Sequence, residues 1–354
     1  MSRYDLDRRQ VAELLADLPP YRARQLWDGL YKRLVDPGEL TELPRSLRRR
    51  LAQAPELEPA LRPERETLAD DGATLKWLFA LHDGERVETV LMHHVRHSTV
   101  CVSSQAGCAM ACSFCATGQA GYRRHLSTGE IVEQVVLASR AASAHGRRLD
   151  HVVFMGMGEP LANYARVWAA AERIVEELGL AARHVTISTV GVVPGILHLA
   201  GERLQVSLAV SLHAANDALR DQLVPLNRRY PLEVLVEACR RYTDTTHRRI
   251  SFEWALIDGV NDRPSDAAEL AAIARELRAH VNLIPLNPTP GYPVLGSPPD
   301  RVRAFRDDLL RQKVNATVRR TRGREIDAAC GQLAAAARLA PASGAPALSA
   351  RRGA

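Results

Sequence analysis

Three cysteines, Cys108, Cys112 and Cys115, form a C-x3-C-x2-C run. A structural zinc site takes four ligands and favours two well-separated pairs. This run offers three sulfurs in one tight loop and no obvious fourth. Three ligands on a four-iron cluster leave one iron open to bind something else. The competing assignment is a zinc loop that borrows a histidine such as His125. The chain has six cysteines in 354 residues, and four of them fall between positions 101 and 115. In a chain this long in a reducing compartment, clustered cysteines serve metals or catalysis rather than a disulfide framework.

Other residues could join such a centre. In Gly156-Met157-Gly158-Glu159-Pro160 the glycines let backbone approach a ligand closely, and Glu159 can accept from an amino group. Ser188, Ser211, Leu212, His213 and Asn287 bring hydroxyl, amide and imidazole groups to short motifs further along. Taken alone, His213 reads as a satisfied structural histidine; the bland alternatives for Glu88 and Cys101, a surface carboxylate of a hairpin and a small hydrophobe in a strand, are the lesser readings of those two. Cys239 has no motif around it and reads as structural.

The periodicity says what must hold these groups. Residues 4–55 carry apolar positions at helical spacing, broken at Pro19-Pro20 and Asp36-Pro37-Gly38, and read as three helices. The Arg48-Arg49-Arg50 triplet on the third reads as a solvated face or a phosphate contact. From about residue 65 the period changes to two, with strands expected over 73–81, 87–92 and 99–103. After the cysteine run, strands and helices alternate. Ser127-Thr128-Gly129-Glu130 is a capping box opening the first helix of that series. Six strand–helix units predict a parallel sheet that curls into a partial (β/α)6 barrel, with chemistry at the C-terminal ends of its strands. Each polar motif above falls at such an end.

The expected organisation is an N-terminal helical domain over 1–60 and a β-hairpin linker region over 61–98. A catalytic barrel with its C-terminal segment covers 99–334, and a disordered tail 335–354. A composition 46% hydrophobic and 25% charged is that of a globular chain. No apolar run approaches the roughly 18–20 residues needed to span a bilayer. The first residues lack the apolar core of a secretory signal, so a cytoplasmic protein is expected. The formal net charge is +6, and from residue 301 onward 12 basic residues face 4 acidic ones. The basic excess therefore sits around Arg319, Arg320, Arg322 and Arg324, just before Cys330.

Together these motifs resemble the radical S-adenosylmethionine (SAM) superfamily, and within it the RlmN family with its relative Cfr, which methylate adenine carbons in RNA. The resemblance runs from about residue 4 to 333. It rests on Gln105-Ala106-Gly107-Cys108, the Gly158-Glu159 motif, Ser188-Thr189-Val190-Gly191, Ser211-Leu212-His213-Ala214, Asn282-Leu283-Ile284-Pro285 and the stretch from Arg322 to Leu333. It implies a [4Fe-4S] cluster on Cys108, Cys112 and Cys115. It also implies SAM contacts at Gly158, Glu159, Ser188, Ser211, Leu212, His213 and Asn287, and two SAM per turnover.

In the family one SAM methylates a cysteine, matched here by Cys330. A second yields a deoxyadenosyl radical that abstracts hydrogen from the S-methyl group, and the methylene radical adds to the adenine. Cys101 then resolves the protein–RNA adduct, leaving a Cys101–Cys330 disulfide, and Glu88 matches the family's proton acceptor. The implied substrate is 23S ribosomal RNA near the peptidyl-transferase centre, with tRNA next to the anticodon as a second one in some members. An electron donor such as flavodoxin or ferredoxin is implied, and the chain is expected to be a monomer without a membrane partner. The rivals are Cfr-like methylation at carbon 8 and a non-enzymatic, zinc-stabilised RNA-binding protein.

Overall fold

The computed structural model describes residues 2–333 apart from Pro290, Pro293, Arg320 and Thr321. The tail expected to be disordered, and Arg320 of the basic run, lie outside the described residues.

The N-terminal unit begins with α1 (Arg8–Leu14), α2 (Tyr21–Tyr31) and α3 (Arg45–Ala52). A capping box closes the start of α1, with Asp7 and Gln10 bonding each other's backbone. The buried stripe of α2, Leu26, Trp27, Leu30 and Tyr31, makes the small core. Trp27 stacks on Tyr31 with ring centres 4.5 Å apart. Arg50 of the basic triplet is spent on Asp17.

Four strands follow: β1 (Arg62–Ala69), β2 (Thr74–Ala80), β3 (Arg86–His93) and β4 (Ser98–Cys101). They are antiparallel in sequence order. A small two-stranded sheet, β5 (Gln105–Gly107) and β6 (Tyr122–His125), brackets the cysteine loop and α4 (Ala116–Gln119). The chain then runs through β7 (His151–Phe154), β8 (Val185–Thr189), β9 (Ser207–Ser211), β10 (Ser251–Leu256), β11 (His280–Pro285) and β12 (Ala316–Val318). Each is parallel to its predecessor, and β7 is parallel to β4. The crossovers are α5 (Thr128–Ala144), α6 (Tyr164–Glu176), α7 (Val193–Ala200), α8 (Asp217–Leu223) with α9 (Leu232–Thr246), α10 (Pro264–Glu276) and α11 (Pro299–Arg311). Parallel neighbours need such long connections. The expected capping box at Ser127 and Glu130 starts α5.

All the strands except β5 and β6 form one sheet. Residues 61–98, expected to be a hairpin linker region, thus extend the barrel sheet itself. β1 has no counterpart in the sequence reading, because as an edge strand it is almost wholly exposed and shows no apolar alternation. The sheet is strongly curled. β7 and β12 are five strands apart, about 24 Å across a flat sheet at about 4.8 Å per strand. Yet Arg319, just after β12, places Nη1 3.7 Å from the Sδ of Met155, just after β7. The strand ends therefore gather around one hollow, as a partial barrel requires. Cys239 lies fully buried in the core, as its lack of a motif led us to expect.

Candidate active site

The cysteine loop leaves β5 and returns through α4, for which Cys115 is the N-cap. It is tightly wound: Ala111 has a φ of +52°, and the Cys115 N–H donates to the Cys112 carbonyl at 3.2 Å. A Cβ at Gly118 would stand 3.0 Å from the Cys112 nitrogen. Cys108 and Cys112 are buried and Cys115 is half-buried. Burial pushes the Cys108 thiol up to about 12 and that of Cys112 well above its ordinary value. A metal centre must take these sulfurs as thiolates and displace their protons. The zinc reading borrows His125 as a fourth ligand. His125 instead bonds Gln105 at 3.0 Å. With His125 so engaged, the loop offers three thiolates, the number that would leave one iron of a four-iron cluster open. The donor set fits a cluster.

Beside the loop, and open to solvent, lies a cavity. Cys112, Cys115, Gly158, Glu159, Ser188, Ser211, His213, Asn287 and Cys330 all line it. Leu212 does not. It is fully buried, its N–H goes to the Glu253 carbonyl at 3.0 Å, and its carbonyl accepts from Arg220 Nε at 3.0 Å.

Glu159 is buried and already accepts two backbone N–H groups, from Leu161 at 3.0 Å and Val190 at 2.9 Å. Burial nonetheless pushes its carboxyl up to about 7. A carboxylate has about four acceptor positions, so room for a ligand's amino group remains. The neighbouring glycines serve packing first. A Cβ on Gly158, whose φ is +101°, would come 2.6 Å from the Cβ of Gln105, and one on Gly156 2.7 Å from the Val102 carbonyl.

His213 is buried, sits at a φ of +60° and meets Phe114 edge-on with ring centres 4.8 Å apart. Its Nδ1 accepts the Ala255 N–H at 3.0 Å. Burial first, then Arg220, brings the imidazole down to about 3. The ring is therefore neutral, with its hydrogen on Nε2, from which it can donate.

The two remaining cysteines meet beside this cavity. Cys101, at the end of β4, and Cys330 both line an adjoining pocket with Met92, Met155, Asn287 and Arg319. Both are free thiols. Burial, then the proximity of Cys330, pushes Cys101 up to about 12, while Arg319 opposes the shift. Asn287 donates to the Cys330 carbonyl at 3.1 Å. Arg319 belongs to the basic run just before Cys330. Its guanidinium faces these sulfurs and buried Glu253. Arg124 is spent on Asp83 and Glu130.

Glu88 is only 3% exposed, so it is no surface carboxylate. On β3 it shares a face with Val90 and Met92, and Val90 pairs with Cys101. It lines neither cavity, but its Oε1 lies 3.1 Å from Lys76 Nζ. Lys76 and Glu253 had no sequence motif to mark them. For Glu253 the one signal was a carboxylate inside an otherwise apolar strand.

Comparison with known proteins settles the family. Residues 102–271 match the Radical SAM superfamily. Over 347 residues the chain is 52% identical to a probable dual-specificity RNA methyltransferase RlmN of Salinispora tropica, covering 95% of this chain and 93% of that protein. The chain belongs to the RlmN family. A relative of the same description in Chloroflexus aurantiacus is 50% identical, with 94% and 92% of the two chains covered. The crystal structure of a radical SAM methyltransferase from Sphaerobacter thermophilus, at 51% identity, superposes with a TM-score of 0.91 over 95% of this chain and 99% of that one. Membership of the RlmN family makes the curled sheet a radical SAM barrel, with its cysteine loop at the C-terminal ends of the strands.

Proposed function

We propose that this protein is a radical SAM RNA methyltransferase that forms 2-methyladenosine in 23S ribosomal RNA near the peptidyl-transferase centre, and in tRNA next to the anticodon. One observation carries the reading: Cys101 and Cys330, far apart in sequence, line one pocket beside the cavity that holds Cys112 and Cys115. Carbon 2 of adenine is too weak a nucleophile to take a sulfonium methyl directly. When bound, the cluster on Cys108, Cys112 and Cys115 and two molecules of SAM supply the methyl carbon and the hydrogen-abstracting chemistry that the side chains lack.

The residues divide the remaining work. Gly158, Glu159, Ser188, Ser211, His213 and Asn287 bind and orient SAM, and Leu212 contributes by shaping the wall behind them. Cys330 carries the methyl carbon on Sγ and joins it to the adenine, which splits a forbidden transfer into allowed steps. Glu88 accepts the ring proton as aromaticity returns. Cys101 attacks the Cys330 sulfur and releases the product, leaving a disulfide that external reductant must open. The adenine reaches the pocket unstacked from its helix, with the N-terminal unit and Arg322 guiding the RNA.

In this reading the enzyme works in the cytoplasm as a monomer, supplied with electrons by a flavodoxin or ferredoxin. Among the described residues no helix is long and apolar enough to cross a membrane. Ribosomal RNA from cells lacking the protein tests the reading. It should lose 2-methyladenosine from 23S rRNA, and unchanged 2-methyladenosine would refute it.

A further inference from the structure

The antiparallel extension β1–β3 grips the segment that carries Cys330. Asp70, in the turn after β1, accepts the Gly323 N–H at 3.1 Å and the Thr74 hydroxyl at 2.6 Å. The His93 carbonyl, ending β3, accepts from Arg322 Nη1 at 3.0 Å. Between these points stands Lys76 of β2. Its Nζ lies 3.1 Å from Glu88 Oε1 and donates to the Asp327 carbonyl at 3.3 Å. The ammonium and the carboxylate are 12% and 4% exposed. Buried charges persist only when paired and hydrogen-bonded. Lys76 thus satisfies a buried carboxylate on one strand and a backbone carbonyl three residues before Cys330.

We propose that Lys76 is a positioning residue that registers Glu88 against the Cys330 segment, so that the carboxylate meets the adenine carried on Cys330. This rests on the assignment of Glu88 as proton acceptor and Cys330 as methyl carrier. The Lys76 ammonium does not touch substrate; it acts through both partners. The bonds made by Asp70 and Arg322 hold the segment without it. Removing Lys76 therefore leaves methyl loading of Cys330 intact and slows the later loss of the ring proton. Misplacement of a catalytic group by about 1 Å can cost on the order of 10²-fold in rate.

The test uses anaerobically reconstituted full-length enzyme, SAM and an unmodified 23S rRNA transcript. It compares wild type with Lys76→Met, Lys76→Gln, Lys76→Arg and Glu88→Gln. Intact-protein mass spectrometry reads the S-methyl group on Cys330 and the covalent Cys330–RNA adduct. Both neutral Lys76 variants should load methyl like wild type, accumulate adduct and lose on the order of 10²-fold in turnover. Lys76→Arg, which keeps the charge, should recover part of the rate.

Wild-type turnover in Lys76→Met and Lys76→Gln would overturn the inference. So would methyl loading that falls in step with turnover and leaves no adduct, the mark of a purely structural lysine. Adduct in Glu88→Gln but in neither neutral Lys76 variant would overturn the inference alone. Absence of adduct in Glu88→Gln would overturn the assignment of Glu88 and the inference with it.

Discussion

The side-chain amide of Asn287 donates to the carbonyl oxygen of Cys330 at 3.1 Å. Asn287 follows the end of β11, so a barrel strand end holds the peptide of the cysteine proposed to carry the methyl group. The cysteine loop holds the next residues: the Ala116 N–H donates to the Gly331 carbonyl at 2.8 Å, and the Thr117 hydroxyl to that of Leu333 at 2.5 Å. Cys330 is thereby tied both to the barrel mouth and to the loop that carries the cluster ligands.

Asn287→Ala should loosen this arrangement without unfolding the chain. Losing the bond should cost about 1 kcal/mol in denaturant titration. Methyl loading of Cys330, followed by intact mass, should slow by more than that cost in stability explains. Loading at the wild-type rate would show that the two bonds from the cysteine loop suffice.

The donor set predicts iron rather than zinc. Anaerobically purified wild type should be brown, and Cys112→Ala should lose iron and sulfide together. Cys239→Ala should keep both, because Cys239 packs in a different apolar cluster from the one that holds Cys112. Zinc with no iron in the wild type would revive the reading of a zinc-stabilised RNA-binding protein.

Gly158→Ala should destabilise the protein even without SAM. The new Cβ would stand 2.6 Å from the Gln105 Cβ at a φ of +101°, a clash of the kind that costs about 1–3 kcal/mol in overpacked interiors. If denaturation of the apo protein is unchanged while SAM binding is lost, the glycine serves the ligand and not the packing.

Glu133 of α5 ties the N-terminal unit to the barrel by accepting the Ala60 N–H at 2.5 Å. Burial pushes its carboxyl up to about 7 from 4.5, despite the opposing pull of Arg3. A raised folded pKa means the folded state holds the proton more tightly, so stability is greatest below the unfolded value and declines as pH rises through the folded one. The melting temperature of wild type relative to Glu133→Gln should therefore fall between about pH 4.5 and 7. A difference independent of pH would contradict the shift.

Much of the site was legible because chemistry and periodicity coincide. The cysteine loop, the Gly158-Glu159 motif, Ser188 and Ser211 sit where a strand pattern stops, and the barrel collects such points. Strand β1 was hidden because its exposed, charged face lacks alternation. The burial of Glu88 was hidden because a hairpin sequence does not show what packs over it. Lys76 was hidden most deeply, since one of its partners, Asp327, lies 251 residues away. Leu212 belongs to a motif at a strand end, yet alternation turns its side chain into the core while its neighbour Ser211 faces the cavity.

The most direct measurement follows the methyl carbon. Reconstituted enzyme is charged with SAM bearing a deuterated methyl group, freed of excess SAM and given unlabelled SAM with an unmodified 23S rRNA transcript. The RNA is then digested to nucleosides. The first product should be 2-methyladenosine carrying a CD2H group, because one deuterium is abstracted from the methyl on Cys330 and the proton that completes the product's methyl group comes from solvent. Cys330→Ala should give none. An unlabelled methyl group, an intact CD3 group, or 8-methyladenosine as the product would contradict the account.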